Sequence, residues 1–352
     1  MSLPISGTKR PDSPMPSIDL ESALNALRRF PSLRGMDTMS PIAAAAGCDL
    51  DMKSVAKTCT IPLVNMGGTP KEIGEAFTRA LKELGFVAVI NVGIDQKVVD
   101  AFYEAAANYF TREDKMGQFS GNGLQGFIPA NTEHAKDSDL PNLMEMFQML
   151  GIYSEGFESY WPSSDFKDKA VALYSMLQES VKHCLRALAV GLSEDEESLA
   201  CLLGEGNSVM RAIHYPPVDP EKTVPGSIRS SAHEDICMMT IIPKATAAGL
   251  EVLQKDGTFL PVVVPDGAAI INAGDTLMRL TNGLIPSTTH RVVNPPEADI
   301  TSHRYSVPFF GQPAQDTIIR VLPSCEQWYT DPPDITFGEL LQERLKAIGL
   351  KK

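Results

Sequence analysis

Apolar residues fall into legible periods from Ile61 onward. Ile61-Pro-Leu-Val64 reads as a short apolar strand, and Thr69-Pro-Lys-Glu72 supplies a capping box with proline at the first helical position. Ile73, Phe77, Ala80 and Leu84 recur at three and four, which predicts a helix that Gly85 stops. The β-rich, almost uncharged run over residues 86–92 predicts a strand buried on both faces. Asp95 can cap a second helix, whose Val99, Phe102, Ala106 and Phe110 make an apolar stripe, and the Gly- and Asn-rich residues 120–126 predict a loop. The longest helical pattern occupies residues 165–190, through Val171, Tyr174, Leu177, Val181, Cys184, Leu185 and Leu188. A second capping box, Ser193-Glu-Asp-Glu196, predicts a shorter helix ending near Gly204.

From residue 208 to 310 the period changes. Short β-branched segments alternate with turn signals at Pro216-Pro217, Asp256-Gly257, Asn282-Gly283 and Pro295-Pro296, a spacing that argues for a sandwich, jelly roll or barrel. A final capping box, Thr336-Phe-Gly-Glu339, opens a C-terminal helix through Leu341, Leu345 and Ile348. Ahead of all this, the first sixteen residues hold four prolines and no period, so they read as a tail; Leu20, Leu24, Leu27 and Phe30 suggest a short amphipathic helix. The expected organisation is an N-terminal extension over residues 1–60, a helical part over 61–205, a β core over 206–315 and a C-terminal helical region over 316–352.

Composition narrows the classes of function. With 352 residues, a chain of this size buries roughly 75% of its extended surface without staples. Thirty-one basic against 44 acidic side chains give a net charge of −13, with no basic stripe, so no nucleic-acid partner is expected. No run of 18 apolar residues argues for a membrane span. The six cysteines are widely spaced and no secretory leader is evident, so reduced thiols and a cytoplasmic location are expected, with organelle targeting by the N-terminal extension left open.

Candidate chemistry concentrates in the β region. In a strand, alternate side chains share a face, so His233 and Asp235 in Ser-Ala-His-Glu-Asp-Ile point the same way while Glu234 turns away. His290, in Ser-Thr-Thr-His-Arg-Val, adds a second imidazole. Two histidines and a carboxylate on one side of a metal leave positions open, the arrangement that suits non-haem Fe(II). Arg304 and Ser306 form another i, i+2 pair, and a guanidinium beside a hydroxyl can grip the far carboxylate of a dicarboxylic acid. Tyr215 could add a third hydrogen bond.

The ordered set Met210-Arg-Ala-Ile-His-Tyr-Pro-Pro217, Ala232-His-Glu-Asp235, Ile271-Asn-Ala-Gly-Asp275, Leu280-Thr-Asn-Gly283, Ser287-Thr-Thr-His290 and Arg304-Tyr-Ser-Val-Pro-Phe-Phe310 resembles the isopenicillin N synthase-like family of 2-oxoglutarate and Fe(II)-dependent oxygenases. The resemblance runs over roughly residues 61–350. It implies an α+β fold: a double-stranded β-helix (jelly-roll) core flanked by N-terminal helices and a C-terminal helix. It implies iron on His233, Asp235 and His290, and 2-oxoglutarate chelating that iron with its other carboxylate on Arg304, Ser306 and Tyr215. It further implies O2 as the second co-substrate and ascorbate as a candidate reductant. The implied reaction oxidises a C–H bond of a small molecule, amino-acid-derived or another specialised metabolite, by hydroxylation, desaturation or cyclisation, with release of succinate and CO2.

Two alternatives stay open at this point: a 2-oxoglutarate-independent oxidase of the isopenicillin N synthase type, and a jelly-roll binding protein without catalysis. The stretches around Ala273 and Asn282 are expected to be structural turns. Pro141-Asn-Leu-Met-Glu145 departs from the family pattern, which bears on the substrate side and not on the iron. His183 is expected to pack on the long helix, His214 and His303 to face away from the cavity, and Cys237 to pack rather than ligate. His134 falls in a loop that could border the substrate mouth.

Overall fold

Two facing sheets and three long helices frame the computed structural model, which describes residues 60–119, 125–130, 132, 140–204, 206–326 and 332–347. The first helix, α1 (Pro70–Leu84), starts on the expected capping box, with Thr69 Oγ1 accepting from Glu72 N–H and Glu72 reaching back to Thr69 N–H. Gly85 ends it in the left-handed region at φ 73°, where a Cβ would lie 2.3 Å from the Pro286 carbonyl oxygen. Asp95 caps α2 (Gln96–Phe110), and the long pattern forms α3 (Ser164–Gly191). Where α1 crosses α3, a Cβ on Gly191 would meet the Gly74 carbonyl oxygen at 2.1 Å, so the close approach requires glycine there.

The larger sheet begins with the parallel pair β1 (Leu63–Asn65) and β2 (Phe86–Ile90). It continues through β10 (Ala269–Ala273), β7 (Met239–Pro243), β13 (Phe309–Gly311), β5 (Val209–Tyr215), β4 (Glu145–Leu150) and β3 (Gly126–Ile128), with β12 (Arg304–Ser306) also paired to β5. A four-stranded sheet faces it, in the order β6 (Ser230–His233), β11 (His290–Val292), β8 (Leu250–Leu253) and β9 (Phe259–Pro261). This is the jelly-roll α+β fold, with α4 (Asp275–Leu280) after β10 and α5 (Phe337–Ala347) closing the chain.

Strand alternation divides the core in two. On β2, Val87 and Val89 face the helices with Phe77, Phe102 and Leu185, whereas Phe86, Ala88 and Ile90 face the inter-sheet space with Ile213, Val252 and Ile270. That double duty explains the uncharged run, and each fully buried side chain of this size contributes about 1.5–3 kcal/mol.

Several expectations need correction. Ser193-Glu-Asp-Glu196 opens no α-helix: Ser193 sits at φ 63°, just past the end of α3, and Glu194 is drawn away to accept from Ser324 N–H at 2.8 Å. Asp195 makes a local turn instead, followed by a 3-10 turn over Ala200–Leu202. Asn272 and Ala273 belong to β10 rather than to a turn, while the turn at Asn282 (φ 49°) and Gly283 (φ 79°) is present. Gly126 opens β3, so the expected loop does not reach it. The tail, its amphipathic helix, residues 120–124, His134 and Ile348 lie outside the described residues. Among the described residues no helix is long and apolar enough to cross a membrane.

Candidate active site

His233 and His290 are directly opposed on β6 and β11, with ring centres 4.4 Å apart. Asp235 lies beyond the end of β6, so strand alternation alone does not aim it. Its backbone is held by α4 instead: Asp275 N–H donates to the Asp235 carbonyl at 2.8 Å and Thr276 N–H to that of Ile236 at 3.2 Å. Gly274 permits this contact, since a Cβ there would stand 2.2 Å from the Cys237 carbonyl oxygen. The result places Asp235 Oδ1 3.9 Å from Nε2 of each histidine, and the three donor atoms lie within 4.8 Å of one another.

Each donor is oriented from behind. Nδ1–H of His233 donates to the Ser231 carbonyl at 2.8 Å and that of His290 to Thr288 at 3.1 Å, which leaves the Nε2 lone pairs toward Asp235. The edge of Phe86 packs on the His290 ring at 5.3 Å. Asp235 Oδ2 accepts from Thr240 Oγ1 at 2.6 Å and from Asn272 Nδ2 at 2.8 Å, which leaves Oδ1 for the site. Burial opposes ionisation of Asp235, but the facing His290 and His233 and these two hydrogen bonds outweigh it, so its pKa stays below the usual carboxylate value. Burial, reinforced by His233, pulls the His290 imidazole down and favours its neutral, ligating form. Exposure is graded: the Asp235 and His290 side chains are 6% and 7% exposed, whereas that of His233 is 41% exposed.

Arg304 stands on β12 directly opposite Tyr215 on β5, and Ser306 opposite Ile213. Arg304 is 4% exposed; its Nε donates to the Ala247 carbonyl at 3.0 Å, while Nη1 is buried with no acceptor. Its guanidinium lies 4.7 Å from the Tyr215 ring centre. Burial raises the Tyr215 phenol pKa against the pull of Arg304, so the group stays a donor. A cavity of about 630 Å³ is lined by all six residues named from the sequence, His233, Asp235, His290, Arg304, Ser306 and Tyr215.

Family models match both halves of this frame. The 2OG-Fe(II) oxygenase superfamily matches residues 206–313, and the N-terminal region of the non-haem dioxygenases in morphine synthesis matches residues 61–164. A solved 2OG-Fe(II) oxygenase family protein from Caulobacter crescentus is 34% identical, with a TM-score of 0.73, covering 83% of this chain and 100% of that one. The chain belongs to the 2OG-Fe(II) oxygenase family. A full-length protein from Neurospora crassa, solved in complex with alpha-KG, shares the fold at a TM-score of 0.73 and 24% identity, over 81% of this chain and 96% of that one. Among curated relatives, the 2-oxoglutarate-Fe(II) type oxidoreductase ppzD of Metarhizium majus is 32% identical over 54% of this chain, which spans 57% of that relative.

The donor set of this family member fits a ferrous ion. Two imidazoles and one carboxylate oxygen have their remaining atoms already engaged, and no sulfur joins the cluster among the described residues. The unpaired Nη1 of Arg304 in turn fits an anion at the far wall. Other expectations find their places. His214 and His303 bond to each other at 2.8 Å on the outer face of β5, His183 contacts the Met66 carbonyl, and Cys237 is buried against Thr240. Sequence reasoning missed Thr240, Asn272 and Asn142, whose Oδ1 accepts from Ser231 N–H. Asn272 stood inside the Ile271–Asp275 motif, but nothing in the sequence tied it to Asp235, 37 residues away.

Proposed function

We propose that this chain is a 2-oxoglutarate and Fe(II)-dependent oxygenase that oxidises a C–H bond of a small molecule. His233, Asp235 and His290 hold the metal; Arg304, Ser306 and Tyr215 hold the far carboxylate of 2-oxoglutarate. The observation that carries this reading is one cavity with a two-histidine, one-carboxylate cluster and a buried guanidinium whose Nη1 lacks an acceptor. When bound, the ferrous ion supplies the dioxygen chemistry, coupled to decarboxylation of 2-oxoglutarate to succinate and CO2.

The chain's own side chains do the positioning. Thr240 and Asn272 fix Asp235, the Ser231 and Thr288 carbonyls fix the histidine tautomers, and Arg304 orients the co-substrate through a charge-assisted contact. Apolar walls from Met144, Ile213, Val252, Val262 and Ile270 keep the inter-sheet space poor in water. The substrate approaches over the partly exposed His233. The relatives' names, and alpha-KG in the Neurospora crassa structure, favour the co-substrate over a route without it.

The test is anaerobic loading with Fe(II) and 2-oxoglutarate, then O2 with a small-molecule library, reading succinate. Substrate-stimulated succinate release is expected, and Arg304→Ala should raise the 2-oxoglutarate requirement while leaving the fold intact. Substrate oxidation without succinate would replace this reading with a 2-oxoglutarate-independent oxidase.

A further inference from the structure

A second buried arginine stands beside the far wall of the cavity. Arg229 immediately precedes β6 and is 1% exposed, the largest fully buried side chain among the described residues. Its Nη2 donates to the Ser302 carbonyl at 2.9 Å, one residue before His303 and two before Arg304, while its Nε has no acceptor. Its guanidinium carbon lies 5.9 Å from the Tyr215 ring centre, and that of Arg304 lies 4.7 Å from the same centre. Among the described residues no carboxylate lies within ion-pair distance of either arginine.

Two guanidiniums are thus buried around one phenol, each with an unpaired N–H. Burial, with repulsion from Arg304, pulls the Arg229 pKa below its ordinary value, and both arginines oppose the rise that burial imposes on Tyr215. Like charges held this way without a counter-ion are unfavourable until an anion joins them. Arg229 does not line the cavity, so it reaches a ligand through the local field and through Tyr215, whose hydroxyl a nearby cation makes a stronger donor.

We propose that Arg229 is a positioning residue for the co-substrate, tuning the Arg304–Tyr215 pocket for a 2-oxo acid that carries a second, distal carboxylate. This rests on the assignment of that pocket to 2-oxoglutarate. A merely structural Arg229, tying the segment before β6 to the segment before β12, would act on any 2-oxo acid alike. A charge-reading Arg229 acts only on the ligand that has the second carboxylate.

The experiment measures anaerobic binding of 2-oxoglutarate and of 2-oxopentanoate, which has the same length but no distal carboxylate, to the full chain loaded with Mn(II), by calorimetry. Arg229→Met should weaken 2-oxoglutarate about tenfold and leave 2-oxopentanoate within about twofold. Arg229→Lys, which keeps the charge, should recover most of the loss. Equal weakening of both ligands, or no weakening of 2-oxoglutarate, overturns the proposal. If the methionine variant does not fold, Arg229→Gln, which can still donate to Ser302, is read by the same ratio. Wild-type protein that binds neither acid would overturn the functional reading itself, and this proposal with it.

Discussion

At the scale of single residues, the site depends on which oxygen of Asp235 is left available. Thr240 and Asn272 both donate to Oδ2, so Oδ1 alone faces the two imidazoles. Thr240→Val keeps the shape of a fully buried side chain and removes one donor. It should weaken metal retention by about tenfold or more, measured by competition with a chelator of known affinity. Retention equal to wild type would show that Asn272 alone suffices to orient the carboxylate. The candidate ligands His233, Asp235 and His290 were legible because their residue types sit inside an ordered set of motifs that resembles the family, the His-x-Asp spacing alone being a weak signal, and the fold brings the three together. Thr240, Asn272 and Arg229 were not, because a buried threonine, an asparagine in an apolar strand and an arginine in a serine-rich stretch acquire meaning only from what they touch. Even for Asp235 the reason differed from the expectation, since α4 and Gly274, not strand alternation, aim it.

At the scale of elements, the outer face of β5 carries a polar cluster separate from the iron site. Lys115 donates to both oxygens of Glu145 at 2.9 and 3.0 Å, and His214 Nδ1–H donates to Glu145 Oε1 at 2.8 Å. Nε2 of His214 is in turn hydrogen-bonded to Nδ1 of His303 at 2.8 Å, and Phe110 and Tyr305 lie against the His214 ring. One carboxylate therefore ties the 3-10 turn after α2 to β4, β5 and the segment entering β12. Burial works against the Glu145 charge, but the bonds from His214 and Lys115 outweigh it and hold its pKa below the usual value. The unfolded chain then takes up the proton first as pH falls. The stabilisation is complete above about pH 4.3 and is lost as pH drops through the lowered folded value. Glu145→Gln should cost about 2 kcal/mol at pH 7, with the gap from wild type closing toward pH 3 in urea unfolding. A constant gap would assign the loss to packing. This cluster escaped sequence reading because β4, Glu-Met-Phe-Gln-Met-Leu, has no β-branched residue and no clean alternation, so neither the strand nor its partners was signalled. The capped helices, by contrast, were legible to within a residue or two, except where Ser193 in the left-handed region ended a helix instead of starting one.

For the whole molecule, the inter-sheet cavity concentrates polar groups that the fold leaves partly unsatisfied, so ligands should stabilise the protein by binding only the folded state. At a hundredfold excess over its dissociation constant a ligand adds about 2.7 kcal/mol, roughly 4 °C in a chain of this size. The metal and the co-substrate should raise the unfolding temperature in two separable steps, because their side chains come from different walls: β6, β11 and the segment after β6 for the one, β12 and β5 for the other. Removing the metal with a chelator should lower the temperature by the first step. Arg304→Ala should keep the metal step and lose most of the 2-oxoglutarate step. His233→Ala should lose both, since the co-substrate's 2-oxo acid end then has no ion to chelate. The order of these losses tests the architecture rather than one residue. If Arg304→Ala kept the full 2-oxoglutarate step while His233→Ala lost it, the co-substrate would be held at the metal alone, and the buried guanidinium would serve the substrate instead.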